Sequence, residues 1–358
     1  MRADLALVGF GHVGRRFARL IEERRDWLAL DYDLECRVVG ISTRRHGSLF
    51  RASGLDAASI ATALDRGTPV DEHDAHAADS FDVIRQLSGT DAPIKILIET
   101  TTLDIQAGQP AIDHARTALQ LGCHVATANK GPAAFAYEEL SVLAEDRARS
   151  FLFEGAVMDG VPIFNLARET LPAVQITGFR GVINSTTNHI LSALEDGEGF
   201  DAALERMQAM GIAEADPSLD VDGWDAAAKT AALANVLMRA RMTPQGVERE
   251  GIGPATARLA MAAKGRGARI RLVASARSTP DGVKTSVRPV ELPEDDLLAG
   301  LRGMANALVV QTDLLGEIAV VQLGGSLTQT AYALLSDVVT IRRRLPPAPH
   351  AAVPGRTP

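Results

Sequence analysis

The sequence predicts an α/β protein with an N-terminal, doubly wound parallel sheet and a second, α+β domain. Over the first 145 residues, short β-rich runs alternate with segments of helical spacing, and no hairpin signal separates them. After about residue 150 the alternation stops, and strand-like runs follow one another with Gly, Pro or Asp between them. We therefore expect one domain over 1–145 and another over 146–324.

Four strands and the helices between them are predicted in the first domain. Helical spacing is clearest in residues 13–28, where Val13, Phe17, Leu20 and Ile21 fall on one stripe with Arg and Glu opposite. The predicted strands are 3–11, 35–43, 93–101 and 123–128, and the other predicted helices are 55–64, 81–87 and 105–122.

The second domain combines longer strands with three helices and ends in a further helix. The Pro-rich tail, 346–358, has no periodicity, and we expect it to be disordered. The predicted strands are 174–183, 269–277, 284–292, 306–313 and 317–325, and the predicted helices are 186–195, 200–210, 223–239 and 328–345.

Composition disfavours several classes of function. The 358 residues are 46% hydrophobic and 23% charged, as in an ordinary globular protein, and the net charge of −8 is unsuited to nucleic-acid or anionic-membrane binding. Cys36 and Cys123 lie in separate apolar runs without metal-ligand spacing, so we expect reduced core thiols. The N-terminus lacks signal-peptide features, and no apolar stretch reaches the ~20 residues of a membrane span, which favours a cytoplasmic protein.

The segment GFGHVG places three glycines in a GxGxxG pattern between the first strand and the first helix. Gly9 permits a tight turn, Gly11 lets the backbone approach a pyrophosphate, and Gly14 allows close helix–sheet packing. A glycine-rich turn without a ligand is the alternative, but we favour a Rossmann-type dinucleotide site. The expected cofactor-binding residues are Gly9, Phe10, Gly11, His12, Val13 and Gly14, with Thr100 at the end of the third strand.

The second strand ends in ISTRRHGS, where NAD sites usually carry Asp or Glu for the ribose 2′-hydroxyl. Hydroxyl side chains followed by Arg44 and Arg45 suit a 2′-phosphate, so we expect NADP, with NAD kept open. The alternative for the two arginines is a solvated loop face.

Two further segments carry polar groups at strand ends. TANK (127–130) puts Lys130 at the carboxyl edge of the predicted sheet, near the expected nicotinamide, although a surface lysine is the alternative. GVINSTTNHIL (181–191) groups five small polar residues before a helix. A helix cap explains one of them, whereas a wall of donors to a small polar substrate, with Asn184 and Thr186, explains more.

The segment GIAEADPSLDVDGWDAAAK (211–229) gathers five carboxylates before a single lysine. Asp225 and Lys229 are four residues apart, so a helix brings them to one face. An exposed ion pair is the alternative, but the helix is mostly apolar around them. A lysine held there beside carboxylates stays protonated and can act as a general acid. The carboxylates are Glu214, Asp216, Asp220, Asp222 and Asp225.

Together, GxGxxG, TANK, FEGAVMDGVPIF, GVINSTTNHIL and AEADPSLDVDGWDAAAK resemble homoserine dehydrogenases in order and spacing, over roughly residues 5–340. The resemblance implies NAD(P)-dependent interconversion of L-aspartate 4-semialdehyde and L-homoserine, in threonine and methionine biosynthesis. It implies Lys229 as the proton donor, Lys130 between nicotinamide and substrate, and Asp225 as a further catalytic residue. Glu214, Asp220 and Asp225 would bind the ammonium and hydroxyl of this small amino-acid substrate, directly or through water.

The same resemblance implies further partners. It predicts a homodimer of the short form, without a C-terminal regulatory domain. It also predicts a last helix, about 325–345, that returns to the nucleotide-binding domain, and a cofactor loop containing Gly324. A monovalent cation such as Na⁺ would be held largely by backbone carbonyl groups, at Glu154, Val157, Asp159 and Val161.

Three departures from the family pattern leave alternatives open. Ser185 stands where the family commonly has glycine, Met158 and Asp159 occupy a loop often made of small residues, and the late glycine loop keeps only Gly324 and Gly325. A relative acting on another amino-acid semialdehyde or amino alcohol is one alternative. A dinucleotide-binding sensor without turnover is the other, although a sensor has no need of a proton donor.

Overall fold

The computed structural model describes residues 1–68, 76–209 and 217–346. Two six-stranded sheets with helices against them make up this part of the chain. Glu214 and the tail from residue 347 onward lie outside the described residues, as does Asp216.

The first sheet is the predicted doubly wound sheet. Its strands are β1 (Arg2–Val8), β2 (Glu35–Thr43), β3 (Gly47–Phe50), β4 (Ile94–Glu99), β5 (His124–Thr127) and β6 (Phe151–Leu152). They lie in the order β3-β2-β1-β4-β5-β6, and all neighbours pair in parallel except β2 and β3. The chain leaves β1 first to one side and then to the other, so a ligand crevice is expected beyond the carboxyl ends of β1 and β4.

The helices around this sheet differ from the prediction in detail. They are α1 (His12–Glu23), α2 (Arg25–Tyr32), α3 (Ala57–Asp65), α4 (Ser80–Ser88), α5 (Ala111–Gln120), α6 (Lys130–Phe135) and α7 (Tyr137–Asp146). The single helix predicted over 13–28 is wrong, because Arg24 leaves the helical conformation and separates α1 from α2. Part of the loop predicted after β2 is in fact β3, which pairs with the otherwise open edge of β2.

The second sheet is mixed, as predicted. Its strands are β7 (Ile176–Val182), β8 (Glu248–Arg249), β9 (Ala268–Thr279), β10 (Gly282–Pro293), β11 (Asn306–Thr312) and β12 (Gly316–Gln322). They lie in the order β12-β11-β7-β9-β10-β8, antiparallel except for the short pairing of β8 with β10. The remaining helices are α8 (Ile163–Asn165), α9 (Ser185–Glu195), α10 (Phe200–Ala209), α11 (Ser218–Val221), α12 (Trp224–Met238), α13 (Pro254–Lys264) and α14 (Leu327–Arg344).

Helix α12 is the element that connects the two halves of the molecule. Its small side chains allow close approach to β9 and β10 of the second sheet and to α6 beside the first. Ala226, Ala227, Ala228, Ala231 and Ala232 are all buried. The polar residues that α12 does carry are therefore held between the two sheets.

The last helix returns to the first sheet. α14 packs against α1, where Nε of Arg16 donates to Oγ1 of Thr328 at 3.0 Å. The Oγ of Ser326 caps α14 by accepting a hydrogen bond from the backbone N–H of Gln329. None of the helices in the described ranges is both long and apolar enough to cross a bilayer.

Candidate active site

A cavity of about 200 Å³ opens between the carboxyl ends of the first sheet's strands and α12. Lys130 and Lys229, which are distant in sequence, both line it. Val13, from the GxGxxG segment, and Thr100, after β4, lie on the opposite side. The structure thus brings the predicted dinucleotide segment and the two predicted catalytic lysines to one cleft.

Lys229 and Asp225 form a close ion pair on α12. Nζ of Lys229 lies 2.8 Å from Oδ2 of Asp225, and the side chains are only 15% and 17% exposed. The same Nζ donates to the backbone carbonyl oxygen of Ile183, also at 2.8 Å. The pair is therefore not the solvated surface pair that four-residue spacing usually produces.

Lys130 reaches the other oxygen of the same carboxylate. It begins α6, whose N-terminus is capped by Asn129 Oδ1 accepting from the N–H of Gly131 at 2.8 Å. Its Nζ lies 3.2 Å from Oδ1 of Asp225. One carboxylate thus holds two ammonium groups at the cleft, one on each oxygen.

Asn184 both caps a helix and bridges two carboxylates. Its Oδ1 accepts from the N–H of Thr187 at 2.8 Å and caps α9. Its Nδ2 donates to Oδ1 of Asp220 at 2.7 Å and to Oδ2 of Asp225 at 2.8 Å. Because the cap fixes the amide, Asn184 holds the two carboxylates in register. Thr186, the second residue of α9, is buried beside them.

The charges in this cluster set one another's protonation. Burial alone would raise the pKa of the Asp225 carboxyl, but the ammonium groups of Lys229 and Lys130 outweigh burial and hold it well below its ordinary value. Burial disfavours the Lys229 ammonium as well, yet Asp225 raises the Lys229 pKa above its usual range. The pKa of Asp220 is raised, by burial first and by the charge of Asp225 second. Lys229 is consequently charged at neutral pH.

Close backbone contacts require two glycines of the GxGxxG turn, Gly9 and Gly14, but not Gly11. A Cβ on Gly14 would lie 2.8 Å from the backbone oxygen of Gly9. Gly9 has φ 91°, and a Cβ there would lie 2.4 Å from the backbone carbon of Thr100. A Cβ on Gly11, in contrast, would meet no protein atom within 4 Å. Gly11 precedes α1 and has no side chain, so it leaves the first-turn amides of that helix without a side-chain cap. This is a suitable cradle for the pyrophosphate of a dinucleotide.

Arg44 and Arg45 lie at the exposed turn between β2 and β3, at the carboxyl end of β2. The turn is ordered by Oγ1 of Thr43, which accepts from the N–H of His46 at 2.7 Å and donates to the carbonyl of Gly47. Neither arginine has an ion-pair partner among the described residues. Both guanidinium groups are thus available to an anion on that side of the crevice.

The residues expected at a cation are already well hydrogen-bonded. Both carboxylate oxygens of Glu154 accept backbone N–H groups, from Phe164 at 2.8 Å and from Asn165 at 2.9 Å. Burial raises the pKa of Glu154 to about 7, despite these hydrogen bonds. Asp159 is bonded elsewhere, to Gln322 and Thr330. Val157 is buried and Val161 partly so, and the described ranges contain no group of three His, Cys, Asp or Glu side chains suited to a metal.

Sequence reasoning missed part of the cleft. Thr330, on the first turn of α14, lines the cavity, and Gln322, at the end of β12, donates to Asp159 in the cavity lining at 3.1 Å. Gly324, a predicted cofactor residue, lies in the loop between these two elements. The missed side chains belong to no compact motif, and only the return of α14 to the first sheet brings them to the cleft.

Comparison with known proteins agrees with this geometry. Residues 162–339 match the family model described as homoserine dehydrogenase. An NAD(+)-dependent homoserine dehydrogenase of Pseudomonas canavaninivorans is 37% identical over 341 residues, which are 95% of this chain and 96% of that protein.

Two solved structures are similar over nearly the whole chain. A putative homoserine dehydrogenase from Archaeoglobus fulgidus superposes with a TM-score of 0.82 at 30% identity, covering 95% of this chain and 99% of that one. A hyperthermophilic archaeal homoserine dehydrogenase in complex with NADPH gives a TM-score of 0.78 at 28% identity, covering 97% and 99%. The chain belongs to the homoserine dehydrogenase family.

Proposed function

We propose that Lys229 is the proton donor and acceptor in the interconversion of L-aspartate 4-semialdehyde and L-homoserine. The observation that carries this proposal is the Asp225 carboxylate, held between Lys229 and Lys130 in the cleft that also contains Val13 of the dinucleotide turn. Both lysines are anchored on helices that begin or pass at the cleft, so neither has to reorganise during the reaction.

The ammonium groups of Lys229 and Lys130 have different roles in this proposal. A bound nicotinamide dinucleotide supplies the hydride for the aldehyde carbon. Lys229 gives its proton to the aldehyde oxygen as negative charge develops there, and becomes a neutral amine. In the reverse direction that amine takes the proton of the homoserine hydroxyl. Lys130 keeps its charge and stabilises the same oxygen or the substrate carboxylate.

The substrate is a zwitterion, and the cleft offers charges of both signs. Asp220, to which Asn184 donates a hydrogen bond, accepts hydrogen bonds from the substrate ammonium in this proposal, with Thr186 alongside. Glu214 belongs to the same proposal, although it lies outside the described residues. Opposite charges in a partly buried cleft favour this substrate over aldehydes that lack either charge.

The test is a comparison of three aldehydes with one coenzyme. We expect L-aspartate 4-semialdehyde to be reduced with a far lower KM than 4-oxobutanoate, which lacks the ammonium, and than 3-aminopropanal, which lacks the carboxylate. Oxidation of NADPH by the purified protein measures this. Equal KM values for aspartate semialdehyde and 4-oxobutanoate would show that the carboxylates do not bind the ammonium. A semialdehyde longer by one methylene tests the alternative of another amino-acid substrate.

We further propose NADP as the preferred coenzyme. The support is the pair Arg44 and Arg45 at the end of β2, together with the absence of an acidic residue between Ile41 and His46. The relative from Pseudomonas canavaninivorans is named NAD(+)-dependent, and the hyperthermophilic archaeal structure contains NADPH, so relatives differ in this respect. The ratio of kcat/KM for NADPH and NADH decides the preference.

A monovalent cation and a homodimer complete the proposal. Each oxygen of Glu154 keeps one lone pair beyond its N–H partner, which suits a weakly bound Na⁺ assisted by carbonyl groups. Turnover in Na⁺ and in choline salts of equal ionic strength tests it. We propose that residues 1–145 and 325–345 form the coenzyme-binding unit and that residues 146–324 form the catalytic and dimerisation unit. Light scattering of the intact chain measures its mass in solution and so tests for the dimer.

A further inference from the structure

A chain of side-chain hydrogen bonds runs from the start of α9 to the surface of the cavity. It begins at Ser185, the first residue of α9, whose Oγ accepts a hydrogen bond of 2.7 Å from Nδ2 of Asn306 on β11. Nδ2 of Asn306 also donates to Oε1 of Gln322, at 3.1 Å. Asn306 and Gln322 are 3% and 4% exposed, so water competes little for these bonds.

The amide of Gln322 carries the chain to the cleft. Its Nε2 donates to Oδ2 of Asp159 at 3.1 Å and to Oε1 of Gln329 at 2.9 Å. Oδ1 of Asp159 accepts from Oγ1 of Thr330, also at 3.1 Å. Asp159 and Thr330 both line the cavity that contains the two lysines. The hydrogen-bond chain therefore ends on the cavity surface.

Asp159 is also in tight contact with the loop 323–326. A Cβ on Gly325 would lie 2.6 Å from Oδ2 of Asp159, so this glycine lets the loop close directly on the carboxylate. Asp159 itself has φ 52°, a left-handed conformation that Asp tolerates better than most residues. The backbone conformation of Asp159 and its carboxylate therefore both favour close contact with the loop 323–326.

The Asp159 carboxylate accepts both hydrogen bonds of this junction without any change in its partners. Both of its oxygens accept, one from an amide and one from a hydroxyl, and among the described residues no lysine or arginine forms an ion pair with it. An asparagine of the same shape accepts only through Oδ1, so the Thr330 hydroxyl would have to turn and accept from Nδ2 instead of donating.

We propose that Asp159 is a positioning residue that couples the start of α9 to the loop 323–326 through Gln322 and Asn306. The coupling keeps the two walls of the cleft at one spacing. The inference rests on the proposed function in one respect, since it takes the start of α9 as the substrate wall and the loop 323–326 as the coenzyme wall.

Four variants test the end of the hydrogen-bond chain that lies in the cleft, at Asp159 and Thr330. Asp159→Gly removes the carboxylate without left-handed strain, and Asp159→Asn keeps the shape with one acceptor fewer. Thr330→Val and Thr330→Ser form a matched pair that removes or keeps the hydroxyl. We expect Asp159→Gly and Thr330→Val to raise the coenzyme Kd, measured without substrate, and the substrate KM roughly three- to tenfold, as for the loss of one hydrogen bond or two.

The conservative variants provide the contrast. The coenzyme Kd and substrate KM of Asp159→Asn should lie between those of wild type and Asp159→Gly, and those of Thr330→Ser should stay close to wild type. Thr279→Val is the control, because its hydroxyl donates to the carbonyl of Gly282 at 2.8 Å in the distant turn between β9 and β10. Equal effects of Thr330→Ser and Thr330→Val, or no effect of Asp159→Gly, would overturn the proposal.

The coupling is tested with a substitution at Ser185, the other end of the hydrogen-bond chain. Ser185→Ala, made on the substrate wall, should raise the coenzyme Kd, and adding it to Asp159→Gly should raise Kd no further because both break one chain. Effects that simply multiply contradict the coupling. If Asp159→Gly does not fold, Thr330→Val replaces it. Undiminished turnover of Lys229→Ala would refute the proton-donor assignment instead, and it leaves the coenzyme Kd measurements valid.

Discussion

The two walls of the cleft are built differently. The wall from the first sheet is mainly backbone: Gly9 shapes the turn and Gly11 leaves space in front of α1, while Lys130 and the two arginines at the edge of the sheet carry its charge. The wall from the second domain is made of charged side chains, where Asp225 pairs with Lys229 on the same helix and with Lys130 of the opposite wall. Substitutions in the first wall should therefore act through shape, and those in the second through charge and protonation.

The largest effect is expected for Lys229→Ala in the charged wall. Loss of a general acid lowers turnover by about 10²- to 10⁴-fold, whereas coenzyme Kd should change little because the dinucleotide wall is untouched. Stopped-flow and equilibrium titration measure the two quantities. Lys264→Ala is the matched control, since Lys264 forms an ion pair of similar length, 2.9 Å, with Asp196 but on the exposed surface. A drop in turnover of the same size in both variants contradicts the catalytic role.

The backbone wall predicts opposite outcomes for two neighbouring glycines. Gly9→Ala meets the backbone at Thr100 and adopts a positive φ, so the free energy of unfolding should fall by about 2–4 kcal/mol. Gly11→Ala meets nothing and should leave that free energy within about 0.5 kcal/mol. It should nevertheless raise the coenzyme Kd about tenfold, or by about 1.4 kcal/mol, because its methyl group occupies the pyrophosphate cradle. Denaturant titration and coenzyme titration separate the two, and unchanged coenzyme binding in Gly11→Ala would locate the cradle elsewhere.

The fold was predictable where periodicity and turn chemistry agree. The alternation of strands and helices up to Thr127 predicted the doubly wound sheet, and this prediction is confirmed. The edge strand β3 was not predictable, because its four residues become a strand only by pairing with β2. The break between α1 and α2 was not predicted either, because the apolar stripe continues across Arg24 and no proline or glycine marks the break.

The site was predictable where it lies in compact segments. Asp225 and Lys229 share one helix, so their spacing alone predicted that they meet. Lys130 was predicted as a site residue because it follows the carboxyl end of a strand. Its contact with Asp225 was not predicted, because that contact depends on the packing of α6 against α12, which no local pattern encodes. Asn306, Gln322 and Thr330 were missed for the same reason. Two of the departures noted in the sequence, Ser185 and Asp159, turn out to lie on the hydrogen-bond chain that these residues form.

An intermediate effect is expected for Asp225→Asn, read as a shift in pH dependence. The carboxylate raises the pKa of Lys229, so neutralising it lowers that pKa. Reduction needs the protonated lysine and should therefore decline at a lower pH than in wild type, by about one unit for each ~1.4 kcal/mol of lost attraction. Oxidation of homoserine needs the neutral amine, and its rise should move in the same direction. Rate profiles in both directions at saturating coenzyme measure the shift, and unmoved profiles would separate Asp225 from the proton transfer.

The smallest effect is expected at the edge of the backbone wall, for the double variant Arg44→Ala/Arg45→Ala. Two exposed guanidinium groups can each contribute about 0.7 kcal/mol to a phosphate contact, which is screened by salt. We expect the KM for NADPH to rise roughly tenfold and that for NADH to stay the same. Arg258→Ala, an exposed arginine on α13, is the control. Equal changes for both coenzymes would mean that the arginines only shape the turn. The backbone wall would then bind the dinucleotide without distinguishing the 2′-phosphate, and the NADP preference would fall while the assignment of Lys229 stands.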